Sequence, residues 1–216
     1  SIVVPADNDI LFDNLKIVSR NVTAGTIQET YQAEQPKESE GPVEEKEMFS
    51  AGNGETITEA IADTYIGMNG LVPVNGYKNN VVITRDNGSG ETLSFFKFIA
   101  PVVPDDKRAY LNLWLNSVKC ASDSEMFTIY ATETDWDEDL ASSDEPIKLI
   151  DTIGRRNFKN GEEKQWIKID ITDYVRKNSG KEISLSVRGN SVSGSSTLDF
   201  DARENICKPN ILVCDA

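Results

Sequence analysis

The sequence predicts an all-β chain: an antiparallel two-sheet β-sandwich preceded by an extended N-terminal arm and linker. Three observations lead there. Nine short runs between residues 62 and 215 alternate apolar and polar side chains with a period of two. Clusters of Gly, Asn, Asp, Ser and Pro separate those runs. The 216 residues allow one ordinary domain with an appendage.

The elements follow in chain order. "SIVVPADNDILFDNLKIVSRN", residues 1–21, reads as a turn and a strand, with no basic or apolar region of a signal peptide. It has the look of the interior of a longer chain. Its "FDNLKIV" resembles the closing strand of a laminin-G-like or other jelly-roll lectin module; a simple arm packed on the main domain is the other reading. Residues 28–48, "QETYQAEQPKESEGPVEEKEM", are acidic, with two prolines and few large apolar groups, and read as a solvated linker. Residues 1–55 therefore form the arm, and the sandwich spans 56–216. Its runs are "ADTYIGM", "NNVVITRD", "TLSFFKFIA", "AYLNLWLNSV", "EMFTIYATE", "QWIKIDITDYV", "EISLSVRG", "STLDFDA" and "PNILVCD". "RNFKNGEE" reads as a turn, and "DYVRKNSG" as a helical turn closed by Gly180.

Alternation assigns faces as sets, because a one-residue slip would turn every member over. Phe96 and Phe98 point inward, with Phe95 and Lys97 outward. Leu111, Leu113 and Leu115 point inward, with Tyr110, Asn112, Trp114 and Asn116 outward. Ile167, Ile169 and Ile171 oppose Trp166, Lys168 and Asp170. Ile183, Leu185 and Val187 oppose Ser184, Ser186 and Arg188.

Composition excludes several classes of function. The net charge is -14, from 36 acidic and 22 basic residues. Residues 1–56 alone hold eleven of the acids and four of the bases. Nucleic acid, which needs a positive footprint, is not an expected partner. An acidic polysaccharide would need a local basic patch that wins within a Debye length of roughly 8 Å. No run approaches the roughly 18 apolar residues of a membrane helix. There is no histidine, so the usual general base and commonest metal ligand are missing. No nucleophile elbow, phosphate loop or zinc spacing is found. Cys120, Cys207 and Cys214 have no metal spacing. With the intervening stretch extended, Cys207 and Cys214 lie about 20 Å apart, too far to bond. Three buried, inert thiols are expected.

Five segments, "ADTYIGMNG", "LSFFKFIAPVVPDDKRAYLNLWL", "TDWDEDLASSDEP", "WIKIDITDYV" and "LDFDARENICKPNILV", follow in the order found in DNRLRE-type domains. Over residues 60–214 the chain resembles the carbohydrate-active branch of these, carbohydrate-binding module family 96. The family's eponymous Asn-rich Leu-Arg-Glu string is absent as such, although Arg203 and Glu204 keep its end. The resemblance implies a jelly-roll sandwich, a secreted or cell-surface location, a covalently linked alginate lyase or related enzyme, and an acidic polysaccharide as ligand. It also implies that Trp136 anchors a loop.

The residues supply candidates for such a ligand. Rings stack on pyranose faces, amides bond hydroxyls, and arginine grips a uronate carboxylate with two N–H groups. Tyr110, Asn112 and Trp114 fit the first two roles. Lys97, Lys168 and Arg188 would complete one basic and aromatic platform if their strands share a sheet. A covering arm or loop over Trp114 is the competing expectation. "GRRNFKNGEEK" offers a second clamp of Arg155, Arg156 and Lys159 in a loop, unless Glu162 and Glu163 pair with its arginines. Arg85 ends "NVVITRD" as a weaker candidate. Asp63, Asp199, Asp201 and the run Asp135 to Asp139 offer hard oxygen ligands for a structural calcium, without selecting a set. The expected function is a non-catalytic carbohydrate-binding module for an acidic polysaccharide, alginate first. The alternative is a structural or adhesive spacer that binds no glycan; a small lyase trails both.

Overall fold

A computed structural model describes residues 46–68, 81–86, 91–138, 141, 146–190 and 194–216, with Met68, Val81, Val82 and Arg85 as backbone alone. The expected strand at 12–18 and most of the acidic linker lie outside the described residues.

Eleven strands are described: β1 (Thr56–Glu59), β2 (Ala62–Met68), β3 (Val81–Asp86), β4 (Glu91–Ile99), β5 (Lys107–Lys119), β6 (Ser124–Thr132), β7 (Leu149–Lys159), β8 (Gln165–Asp170), β9 (Glu182–Gly189), β10 (Ser196–Asp201) and β11 (Asn210–Asp215). One short helix, α1 (Thr172–Lys177), follows β8. Gly180 closes the turn after it at φ +75°, a conformation that costs glycine least.

Every pairing is antiparallel, and the result is the expected sandwich of two packed sheets. In the first sheet β5 is central. It pairs β8 on one side and, on the other, β11 and then β10 further along; β1 extends β11. The second sheet runs β2-β4-β9-β6-β7. β3 joins the two, pairing β10 along its length and β4 at Arg85 and Asp86.

The inward sets meet between the sheets as alternation predicted. Leu111, Leu113, Leu115, Ile167 and Ile169 face Phe96, Phe98, Leu185, Val187 and Ile129, all in one buried cluster. Each such side chain contributes about 1.5–3 kcal/mol on leaving water. The three thiols are free and buried, and burial pushes Cys207 up to about 11, so it is a poor nucleophile.

One expectation needs correction. Residues 149–159 form a strand of eleven residues, and the expected loop begins only after Lys159. Among the described residues β7 pairs β6 alone, so it is an edge strand with one wet face. Of its residues only Phe158 is buried, and polar Arg, Asn and Asp side chains mask its alternation. Phe158 lies edge-on to Phe127 at 5.3 Å and beneath the Arg156 guanidinium at 5.2 Å.

If β7 is a true strand with Phe158 inward, Phe158→Ala costs about 3–5 kcal/mol in urea denaturation. Its exposed neighbour changes little: Lys159→Ala stays within about 0.5 kcal/mol. Equal effects of the two would contradict the assigned face.

Candidate functional site

The expected platform residues divide between two opposite outer faces. On the β5 sheet, Tyr110 lies opposite Asp170, Asn112 opposite Lys168, and Trp114 opposite Trp166. Lys97 and Arg188 belong to β4 and β9 of the other sheet. Alternation reports which way a side chain points but not which sheet carries it, so one continuous platform does not form.

On the β5 face the covering arm is present. Residues 46–50 cross the sheet as a strap. Lys46 pairs with Asp201 at 2.7 Å, and Trp166 Nε1 donates to the Glu47 carbonyl at 3.3 Å. Phe49 packs edge-on to Trp166 at 5.3 Å, and Trp166 edge-on to Trp114 at 5.8 Å. Trp114 is left 9% exposed, so it is not the open stacking surface that was expected. Asn112 is fully buried, and its Nδ2 donates to Asn210 Oδ1 at 3.2 Å. A hollow of about 430 Å³ remains between Trp114, Trp166 and the strap residues Glu47 to Ser50. Lys168 is exposed, its ammonium 5.8 Å from the Phe49 ring, and Tyr110 is half-buried.

On the other sheet, half the outer face is sealed by the segment after β6. Trp136 Nε1 donates to Ser184 Oγ at 2.9 Å, and Phe95, Leu93, Ile66 and Ile147 form a second apolar cluster beneath. Trp136 is thus the loop anchor that the resemblance implies. Lys97 is absorbed here: its ammonium donates to the Trp136 carbonyl at 2.6 Å, sits 4.4 Å over the ring, and lies 3.5 Å from Glu182. It serves the fold and offers little charge outward.

Among the described residues nothing covers the other half. Across β9, β6 and β7, Arg188, Thr128 and Arg155 stand in one row. Glu91 grips the Arg188 guanidinium through two hydrogen bonds, 2.7 and 3.0 Å, which fix its orientation. Burial opposes that charge, and the Glu91 bonds together with the charges of Glu91, Tyr130 and Asp86 more than offset it, so Arg188 is held above its ordinary range. Half-buried Tyr130 occupies the next outward position of β6, and Asn190 Nδ2 donates to Thr128 Oγ1 at 2.7 Å. Arg155, Asn157 and Lys159 are exposed along β7, on the outward side of the pairing with Thr128, Met126 and Ser124. Arg156 points the other way. It bonds Glu162 and the Lys168 carbonyl, tying the two sheets at their edge. The expected clamp of three cations therefore splits, because neighbours on a strand face opposite sides. Arg85 pairs Thr92 and Thr197 through its backbone. Tyr130, Asn157 and Asn190 were not among the expected site residues; Tyr130 was readable from the alternation of "EMFTIYATE".

Two carboxylate groupings matter for a metal. Asp63, Glu138 and Glu204 bring one oxygen each within 4.8 Å of one another, from three distant segments. Arg203 lies among them: its backbone N–H donates to Asp63 at 2.7 Å and its guanidinium grips Glu138 at 2.9 and 3.1 Å, with Glu204 at 3.2 Å. These oxygens could hold a hard cation, but a guanidinium already supplies their positive charge. Burial is the main reason that Asp63 is raised to about 7, helped by Glu204 and Glu138. Asp199 and Asp201 form the second grouping, beneath Lys46. Of the Asp135–Asp139 run, Glu138 joins the first grouping, and Asp139 lies outside the described residues.

A model of carbohydrate-binding module family 96 matches residues 55–215. No curated protein matches the chain.

Asp63 makes stability depend on pH. Its folded value, about 7, stands above the ordinary 3.8, so the folded chain holds a proton that the unfolded chain has lost. The associated stability is complete below about pH 4 and disappears as pH rises through 7. Between pH 5 and 8 the loss is on the order of 2–3 kcal/mol. Asp63→Asn keeps an acceptor for the Arg203 N–H and should flatten that slope, leaving the variant more stable than wild type at pH 8 in EDTA. Identical urea midpoint slopes for both proteins across this range would refute the assignment.

Proposed function

Because the chain belongs to carbohydrate-binding module family 96, we propose that it holds an acidic, uronate-containing polysaccharide, alginate first, and keeps a covalently linked degrading enzyme on that substrate outside the cell. The family makes it a binding module. The acidic ligand, the linked lyase or hydrolase and the extracellular setting are this reading's own.

One observation carries the reading: the row Arg188–Thr128–Arg155 on a sheet face that no described residue covers, with Tyr130 beside it. Two arginines in register across three strands suit carboxylates repeated along an extended chain, because each guanidinium can bond a carboxylate in a fork. Tyr130 offers a ring edge and a hydroxyl. Asn157, Asn190 and Thr128 offer hydrogen bonds to sugar hydroxyls. Lys159 extends the positive line along β7. The grip of Glu91 on Arg188 lowers the net charge of the row but removes rotamer freedom that binding would otherwise have to restrict. Per-site affinity is weak on this account, and the gain is a raised local substrate concentration for the attached enzyme. On the opposite face Trp114 is covered and Asn112 is bonded to Asn210.

Affinity electrophoresis and calorimetry with alginate, against a neutral glucan, test the reading. Arg155→Ala should weaken alginate binding about tenfold, or about 1.4 kcal/mol, with folding intact. Lys168→Ala, on the other face, should stay within about twofold, and rising salt should weaken wild-type binding. Unchanged mobility in every acidic polysaccharide would leave the spacer function. Loss on Lys168→Ala with Arg155→Ala unaffected would place the site on the wrong face.

A further inference from the structure

The hollow on the β5 face has no part in alginate binding as read above. Trp114 and Trp166 line it from the sheet, and Glu47 to Ser50 line it from the strap. The two indoles meet edge-on, 5.8 Å apart with 74° between their planes, and Phe49 meets Trp166 at 5.3 Å and 69°. Rings set nearly at right angles form corners, in which a flat ligand can lie on one ring with its edge against the next. The volume, about 430 Å³, falls within the roughly 300–1,000 Å³ of small-molecule sites. A second hollow, beside Lys97 and Trp136, has one ring only, and the Lys97 ammonium already sits 4.4 Å over it.

The strap side of the hollow is fixed in place. Lys46 is held to Asp201 at 2.7 Å, and the Glu47 carbonyl accepts from Trp166 Nε1 at 3.3 Å and from Cys207 Sγ at 3.4 Å. The corner is nonetheless incomplete. Met48 stands 69% exposed, and Trp114 Nε1 is buried with no acceptor among the described residues. An N–H taken from water without a partner is costly, so the strap does not finish the packing that it begins. Charge narrows the choice of occupant. Among the described residues no lysine or arginine lines the hollow, and Glu47 is its one charged residue.

We propose that this hollow is a second glycan site, for a neutral pyranose ring of an oligosaccharide or polysaccharide. The aromatic corner takes the apolar face of the ring. The Glu47 carboxylate and the Ser50 hydroxyl, both on exposed residues, take its hydroxyls. A uronate is rejected, because its carboxylate would meet Glu47 and find no cation in the lining. The strap is then one wall of a site as well as a cover. The proposal stands whether or not the Arg155 face binds alginate, since it uses other residues and a ligand of other charge.

The test is calorimetry and tryptophan fluorescence of the full chain with cellopentaose, mannopentaose and xylopentaose. At least one should bind, with Kd on the order of 1 mM. Trp166→Ala should weaken that binding at least tenfold, and Phe49→Ala several-fold. Phe49 lies on the strap, so its variant reads the site even where thermal unfolding shows Trp166→Ala to be misfolded. An excess of alginate pentamer should not displace the neutral sugar. No binding of any of the three up to about 10 mM would overturn the proposal. So would displacement by the alginate pentamer, or binding that is lost in Arg155→Ala and kept in Phe49→Ala.

Discussion

An interior strand of each sheet, β4 and β5, buries both of its faces over six residues, and most other features follow from that constraint. On β4, residues 91 to 96 are buried without a break, and on β5 residues 111 to 116 are. A strand in a two-layer fold needs cover on one side only; the second side must be covered by something else. Here the cover is different on each sheet. The segment bearing Trp136 closes over Phe95, Leu93 and Ser184, and the strap of residues 46–50 closes over Trp114 and Asn112. What remains open for a ligand is decided by where these two covers stop.

Arg203 explains why the first cover stays down. Three segments far apart in sequence, β2, the Trp136 loop and the turn before β11, each bring a carboxylate to it. A lone carboxylate at any of these places would pay for its own desolvation; grouped around one guanidinium and one backbone N–H, they share the compensation. Burial, with a smaller push from Glu204 and Glu138, shows in Asp63, which holds its proton to about 7. The segments involved are those that carry the family resemblance: "ADTYI", "TDWDE" and "ARE". Their contribution to the fold is therefore physical, a charge cluster that binds distant strands, and it says little about the ligand.

Much of this was legible in the residues and some was not. Alternation placed Phe96, Leu113, Ile169 and Leu185 in the core because each such side chain has two choices and burial decides between them. It could not decide which sheet a strand joins, and so it merged Lys97, Trp114 and Arg188 into one surface. It missed β7 because an edge strand with one wet face has almost no apolar alternation; Phe158 is its single buried residue. Lys97 and Arg156 looked like ligand cations because a sequence shows charge but not the carbonyls of Trp136 and Lys168 or the Glu162 carboxylate that use it. The strap was legible only as an alternative, since an acidic linker gives no sign of where the phenylalanine that follows it, Phe49, will land.

The remaining difficulty is how a chain of net charge -14 could hold a polyanion. Total charge matters at long range and low salt; at physiological ionic strength the potential decays over about 8 Å. Within that distance of the Arg188–Arg155 row, Glu91 and Asp86 both act on Arg188 and offset its charge, while Arg155 and Lys159 remain exposed on β7. The acids of Asp63, Glu138 and Glu204 are gathered around Arg203 under the Trp136 cover, and those of Asp199 and Asp201 lie on the opposite sheet beneath Lys46. Among the described residues the fold thus sorts part of its charge: carboxylates gather around Arg203 and Lys46, where they hold covers in place, while Arg155 and Lys159 face outward on β7. An acidic total and a locally cationic face are consistent once the same side chains that close the sandwich are counted as already neutralised.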